Sequence, residues 1–194
     1  MTTPTPDHTP GRRDPEGRRR AILSAAAELI VENGAASLTH RAVAKRAQVA
    51  LASTTQYFRS IDDLREQALQ KLADEIDAEL EDVERLLTPF EAAVERTAQS
   101  MHEFLLDRYQ ARASLALVAA AMSDDSLIDL ARRWTDRLTE MLARHAGEER
   151  GLAISLYLDG ATMHAVLHDE PVSTESIVRA INAILAMPDA SKED

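Results

Sequence analysis

The chain is predicted to be all-α, with an N-terminal three-helix head followed by a larger helical bundle, and three observations predict it. Ala, Leu and Arg dominate the composition, while Gly and Pro are few and fall mainly between apolar-periodic segments. Apolar residues recur at spacings of three and four along most of the chain. The stretch Ser37–Leu64, SLTHRAVAKRAQVALASTTQYFRSIDDL, reads as a helix, a tight turn and a short second helix. That is a helix-turn-helix, whose second helix enters the major groove of DNA.

The first helix runs from about Glu16 to Asn33, with Ile22, Ala26, Leu29 and Ile30 on one face and Gly34 as its C-cap. Thr39 N-caps a helix starting at His40, in which Val43, Ala44 and Ala47 form one stripe and Arg41, Lys45 and Arg46 lie off it. Val49 fills the corner, and Thr54 and Phe58 make the inner face of the next helix. Leu51, Ala52, Ser53, Thr55, Gln56 and Tyr57 are left with no core to enter. A helix of about seven residues is not stable alone, so its neighbours must hold it. Its outer face offers an amide for adenine edges, apolar carbons for thymine methyls, and hydroxyls together with Arg59 for phosphates. A small surface helix in an ordinary bundle is the alternative.

Ser60 and Asp63 form a capping box for a long amphipathic rod through Leu64, Ala68, Leu72, Ile76, Leu80 and Val83. Thr88-Pro89-Phe90-Glu91 is a second start signal, for a helix to about Tyr109 with Ala98, Met101, Leu105 and Tyr109 inward. A shorter helix follows from Arg112 to Met122. Ser123 then caps a helix with the stripe Leu130, Trp134, Leu138, Met141 and Leu142, closed by Gly147. From about Glu148 to His168 the pattern is apolar nearly all round. Ala153, Leu156, Gly160, Met163 and Leu167 lie on one side, and Ile154, Leu158, Ala161 and Ala165 on the other. Such a helix is buried on both sides, one of them by a partner. The last helix, about Thr174 to Met187, carries Ile177, Ala180, Ile181, Ile184 and Leu185.

Net charge is −11, but residues 1–60 hold nine Lys/Arg against five Asp/Glu, while residues 61–194 hold 13 against 28. A basic head on an acidic body suits a protein that presents one end to DNA. The absence of cysteine excludes disulfides and thiolate metal sites. No leader opens the sequence and no apolar run approaches the roughly 20 residues that span a bilayer, so a cytoplasmic protein without membrane contact is expected. The expected organisation is an arm at 1–14, a helix-turn-helix domain at 15–62, a ligand-binding and dimerisation domain at 63–187 and a tail at 188–194. The arm is read as disordered, either a solvated tail or a carrier of Arg12 and Arg13 into a minor groove.

The stretch Arg18–Leu69 resembles the DNA-binding domain of TetR-family transcriptional regulators. RRRAILSAAAELIVENGAASLT matches the first helix, RAVAKRAQV the second helix and turn, LASTTQYF the recognition helix and SIDDLREQAL the start of the connecting helix. The resemblance implies that His40 and Arg41 sit at the groove edge, that Leu51, Ala52, Thr55 and Gln56 face bases, and that Ser53 and Tyr57 bond to phosphates. With Thr39 and Arg59 these form the candidate DNA-contacting set. Three residues depart from the family pattern: Gln48 where glycine is usual, Ala50 where a capping Ser or Pro is common, and Ile61 where a phosphate-binding lysine is frequent. The resemblance further implies a repressor acting on a palindromic double-stranded operator, a homodimer built on the last two helices, and a small-molecule effector. The interface candidates are Leu156, Gly160, Met163, His164, Leu167, Ile177, Ile181 and Ile184.

The body's flexible and flat side chains suit a pocket as well as a core. The pocket candidates are Met101, His102, Leu105, Tyr109, Met122, Trp134, Leu138, Met141 and Tyr157, with Arg108 nearby. His164 and His168, four apart, share a helix face and could bind zinc or nickel, but no third ligand stands at helical spacing. No Glu-x-x-His pair, Gly-rich phosphate loop or nucleophilic cysteine is present, so neither a cofactor nor catalysis is expected. The alternative function is a helical small-molecule-binding protein whose helix-turn-helix is vestigial.

Overall fold

A computed structural model describes residues 14–86 and 93–188. Among these residues the fold is all-helical, as expected. The elements are α1 (Pro15–Asn33), α2 (His40–Arg46), α3 (Leu51–Tyr57), α4 (Ile61–Leu86), α5 (Ala93–Leu106), α6 (Arg108–Ala121), α7 (Ile128–Ala146), α8 (Glu148–His168) and α9 (Thr174–Leu185). No described helix is long and apolar enough to cross a membrane. The start signal at Thr88–Glu91 and the arm's Arg12 and Arg13 lie outside the described residues.

Side-chain caps set most of the helix starts. Asp14 accepts from the Gly17 N–H at 2.8 Å to open α1, and Thr39 accepts from Ala42 N–H at 3.2 Å to open α2. Ser60 accepts from Asp63 N–H at 3.0 Å at the start of α4. The Asp63 carboxylate returns to the N–H of Arg59 rather than of Ser60, at 2.8 Å. That bond, with one from Gln67, holds the Asp63 carboxyl below the usual range. α9 opens on Ser173, which accepts from Ser176 N–H.

Two boundaries differ from expectation. The predicted helix through Tyr109 ends at Leu106, because Asp107 caps a new helix by accepting from the N–H groups of Tyr109 and Gln110 at 3.0 and 3.2 Å. Tyr109 therefore belongs to α6 and is exposed rather than inward. Its phenol is pushed up to about 12, first by partial burial and then by surrounding carboxylates. Ser123 does not cap the following helix. Asp124 instead caps a 3-10 turn at Asp125–Leu127, accepting from Ser126 N–H at 3.1 Å, and that turn leads into α7, which has no side-chain cap of its own.

Two apolar cores form. One gathers Ile22, Ala26 and Ile30 of α1, Val43 of α2, Phe58, and Leu64 and Leu72 of α4, and it includes Ala113 and Leu117 of α6. The other gathers Leu80 of α4, Ala98 of α5, Leu138 and Met141 of α7, Ile154 and Leu158 of α8 and Ile177 of α9. α4 thus enters both cores, and α6 packs directly against α1 and α4. Arg133 of α7 binds Asp74 and Asp77 of α4 at 2.7 and 2.5 Å, tying the rod to the body on its other side. The hydrogen bond from Arg133 holds the Asp74 carboxyl below its ordinary value.

α7 and α8 approach closely where Gly147 ends one helix and starts the other. A Cβ at Gly151 would lie 2.5 Å from the Ala143 backbone nitrogen. Gly151→Ala must therefore separate the two backbones, and a loss of about 1–3 kcal/mol in urea denaturation is expected. An unchanged midpoint would mean the helices lie further apart than this.

Candidate functional site

The helix-turn-helix is built by burying one face of each short helix. Val43 and Ala44 of α2 and Thr54 of α3 are buried, and Phe58 follows α3 into the core. Gln48, in the turn, adopts the left-handed conformation with φ 55°, at a cost of about 1–2 kcal/mol that glycine would avoid. Val49 N–H closes the turn on Ala44 carbonyl at 3.0 Å. Ala50 makes no side-chain cap, so α3 depends on contacts with its neighbours.

Leu51, Ala52, Thr55 and Gln56 are exposed along one side of α3, and Arg41, Lys45 and Arg59 are exposed beside it. Thr39 is exposed but committed to its cap, and Ser53 is half-buried. Two candidate contacts sit differently from expectation. Tyr57 is half-buried with its ring against the head core, because the short α3 leaves room for it beside Phe58. His40 is also half-buried, with Nδ1 3.1 Å from Thr54 Oγ1. Thr54 gives its only hydroxyl proton to the Leu51 carbonyl at 2.7 Å, so His40 Nδ1–H must be the donor. His40 therefore pins α2 to α3 and has Nε2 alone for an external partner. Arg46 binds Glu28 at 3.0 Å and Glu32 at 2.5 Å, so this cation braces α2 against α1.

The body holds a cavity of about 330 Å³ between α4, α5, α6, α7 and α8. Met101, Trp134 and Leu138 of the expected pocket lie on its wall, as does Phe104, another of the flat side chains that suit a pocket; Thr97, Glu103 and Asp107 join them and were not in that set. The remaining six candidates lie elsewhere. Met141 is buried in the body core one turn beyond Leu138, and Tyr157 packs on the same core while its neighbour Leu158 faces the cavity. His102 is turned away to the Val172 carbonyl, 2.8 Å from Nδ1. Leu105 lines a second cavity of about 250 Å³, along with Arg108, which pairs with Asp169 at 2.5 Å. Tyr109 is displaced by the break at Asp107. Met122, at the end of α6, is 84% exposed.

On α8, Ile154, Leu158, Ala161 and Ala165 are buried, while Leu152, Leu156, Met163 and Leu167 stand 49, 61, 52 and 71% exposed on the opposite side, with Gly160 and His164 beside them. On α9 the expectation fails in part. Ile177 and Ile181 are buried within their own subunit, and only Ile184 of the three is part-exposed. The His164 and His168 rings lie 4.4 Å apart, and among the described residues no group of three or more metal-ligating side chains forms.

An exposed short helix braced over a two-helix corner, joined by a long rod to a cavity-bearing bundle, is the architecture of a helix-turn-helix protein with a separate helical body. Residues 22–68 match the family model described as bacterial regulatory proteins, tetR family. A TetR-family member from Streptomyces coelicolor A3 (SCO1917) is 28% identical over 88% of this chain and 99% of its own, with a TM-score of 0.76. The multidrug binding protein EbrR is 28% identical in its malachite green complex, over 88% of this chain and 99% of that one, with a TM-score of 0.74. Its ethidium complex is similar at 28% identity, 89% and 99% coverage and a TM-score of 0.69. No match is found among curated proteins. Residues 22–68 thus match the DNA-binding domain of the tetR family, and the whole chain shares its fold with a solved TetR-family member.

Proposed function

We propose that this protein is a homodimeric repressor that leaves a palindromic operator when a small molecule fills the body cavity. The observation that carries this reading is the position of α6. Ser114 lies on the cavity wall, while Ala113 and Leu117 of the same helix pack against the core beneath the helix-turn-helix. A ligand that favours one setting of α6 shifts the population of head positions, and two heads that no longer match successive grooves lose the operator. EbrR's binding of malachite green and ethidium supports an organic effector of comparable kind. A protein whose partner is DNA acts in the cytoplasm. The arm and head at 1–62 are assigned to DNA, and the body at 63–187 to effector and partner.

In this reading Leu51, Ala52, Thr55 and Gln56 face base edges, Arg41 and Arg59 meet phosphates, and Leu156, Gly160, Met163 and Leu167 meet the same helix of a second copy. Selection of bound duplexes from a random library with the full-length protein tests it. A palindrome with half-sites about one helical turn or a multiple apart is expected. Recovery of no motif would favour a binding protein with a vestigial helix-turn-helix, whose activity would survive Arg41→Ala with Tyr57→Ala. Gln56→Ala is expected to relax preference at one base pair per half-site by about 1–3 kcal/mol. A uniform loss across all sequences would reassign Gln56 to a phosphate.

A further inference from the structure

Six of the cavity's polar groups fall into two sets. Ser114 gives its proton to the Ala111 carbonyl at 2.9 Å, and Thr162 gives its own to the Leu158 carbonyl at 3.0 Å. Glu103 accepts from Gln99, and Asp107 caps α6. Trp134 Nε1 and Thr97 Oγ1, by contrast, are buried and find no hydrogen-bond partner among the described residues. The two residues come from different helices, α7 and α5, and both line the same space, with these two atoms set just behind its surface. An indole N–H can only donate, and a hydroxyl can donate or accept. Among the described residues, the charged groups on the wall are Glu103 and Asp107, and no Lys, Arg or His side chain lines it. An anion would be stripped of water beside two carboxylates with no cation to receive it. The rest of the wall is mainly apolar, from Ile76, Leu80, Met101, Phe104 and Leu138.

We infer that the effector is a largely apolar, non-anionic molecule whose hydrogen-bond acceptor, a carbonyl oxygen being the simplest, takes the Trp134 indole proton, with Thr97 bonding to a second polar atom. This rests on the regulatory reading of the cavity and adds the chemistry of its ligand. Burial of an unpaired donor makes the preference strong, because a ligand lacking the acceptor fills the space and leaves the indole N–H unsatisfied.

Trp134 is the only tryptophan of the chain, so all tryptophan emission comes from this side chain, which lines the cavity and also packs on the head core. The full-length protein without DNA is titrated with benzophenone, diphenylmethane and 4-benzoylbenzoate, following Trp134 fluorescence and heat. Benzophenone is expected to perturb the emission and to bind about 10-fold tighter than diphenylmethane, the scale of one hydrogen bond. The benzoate is expected to bind about 10-fold more weakly than the ketone. In Trp134→Phe, followed by calorimetry, the ketone's advantage over the hydrocarbon disappears, while diphenylmethane binding stays within about 2-fold and so shows that the cavity persists. Equal binding of ketone and hydrocarbon, tightest binding of the benzoate, or silence from all three probes would overturn the inference. Trp134-dependent ketone binding that leaves DNA affinity unchanged would overturn the regulatory reading alone. Release of DNA by other compounds, with no preference for acceptors, would overturn the ligand chemistry alone.

Discussion

Replacing Leu156 and Met163 together by Glu is expected to yield a monomer whose affinity for a palindromic operator is lower by about 100-fold or more. Both side chains project from α8 into solvent in the single subunit, so the substitutions disturb nothing within it. Together with Leu152 and Leu167 they form one apolar stripe at spacings of four, seven and four, with Gly160 dividing the seven. In the proposed dimer this stripe along a 21-residue helix starts the interface, and the half-buried edge of α9 around Ile184 adds area to it. Charges facing each other across a two-fold axis repel and lose water without compensation. Each head alone then binds one half-site, and the gain from linking two heads, typically 10²–10⁴, is lost. Sedimentation velocity and operator titration measure the two effects, with circular dichroism checking the fold. A variant that still sediments as a dimer would place the interface elsewhere.

Phe58→Ala is expected to remove about 3–5 kcal/mol from the head and with it specific DNA binding. Phe58 is almost wholly buried, and it is the largest side chain in the core under α2 and α3. The guanidinium of Arg19 lies over its ring, 5.4 Å from the centroid. α3 has seven residues and no side-chain N-cap, so it persists only while its inner face is packed. The body core has no member from α3, so ligand-dependent Trp134 fluorescence should survive when DNA binding is gone. Loss of both together would mean that head and body fold as one unit through α6. Denaturant titration alongside DNA and ligand titrations separates these outcomes.

The helix-turn-helix was legible because local rules suffice there. Thr39, Ser60 and Gly34 mark ends through bonds to backbone groups within four residues. The break at Asp107 was not legible. Leu105 and Leu106 continue the apolar rhythm into a polar stretch that a helix would also tolerate, and only the Asp107 side chain turning back on Tyr109 and Gln110 reveals the cap. His40 and Tyr57 read as free for DNA because nothing in their neighbourhood along the chain announces Thr54 or the head core as a partner.

Periodicity alone determined that the chain is helical, that α3 has one face with no core behind it, and that α8 is apolar on opposite sides, because spacing dictates which residues share a face of a helix. It is silent on what each face meets. Ile177 and Ile181 share a stripe that could seat a partner, but the tertiary structure closes it against α5 and α8 of the same subunit. Which polar groups of the body are left without a partner was likewise decided only in three dimensions. Thr97 and Trp134 stand 37 positions apart in sequence, and they share one cavity only because α5 and α7 pack around it.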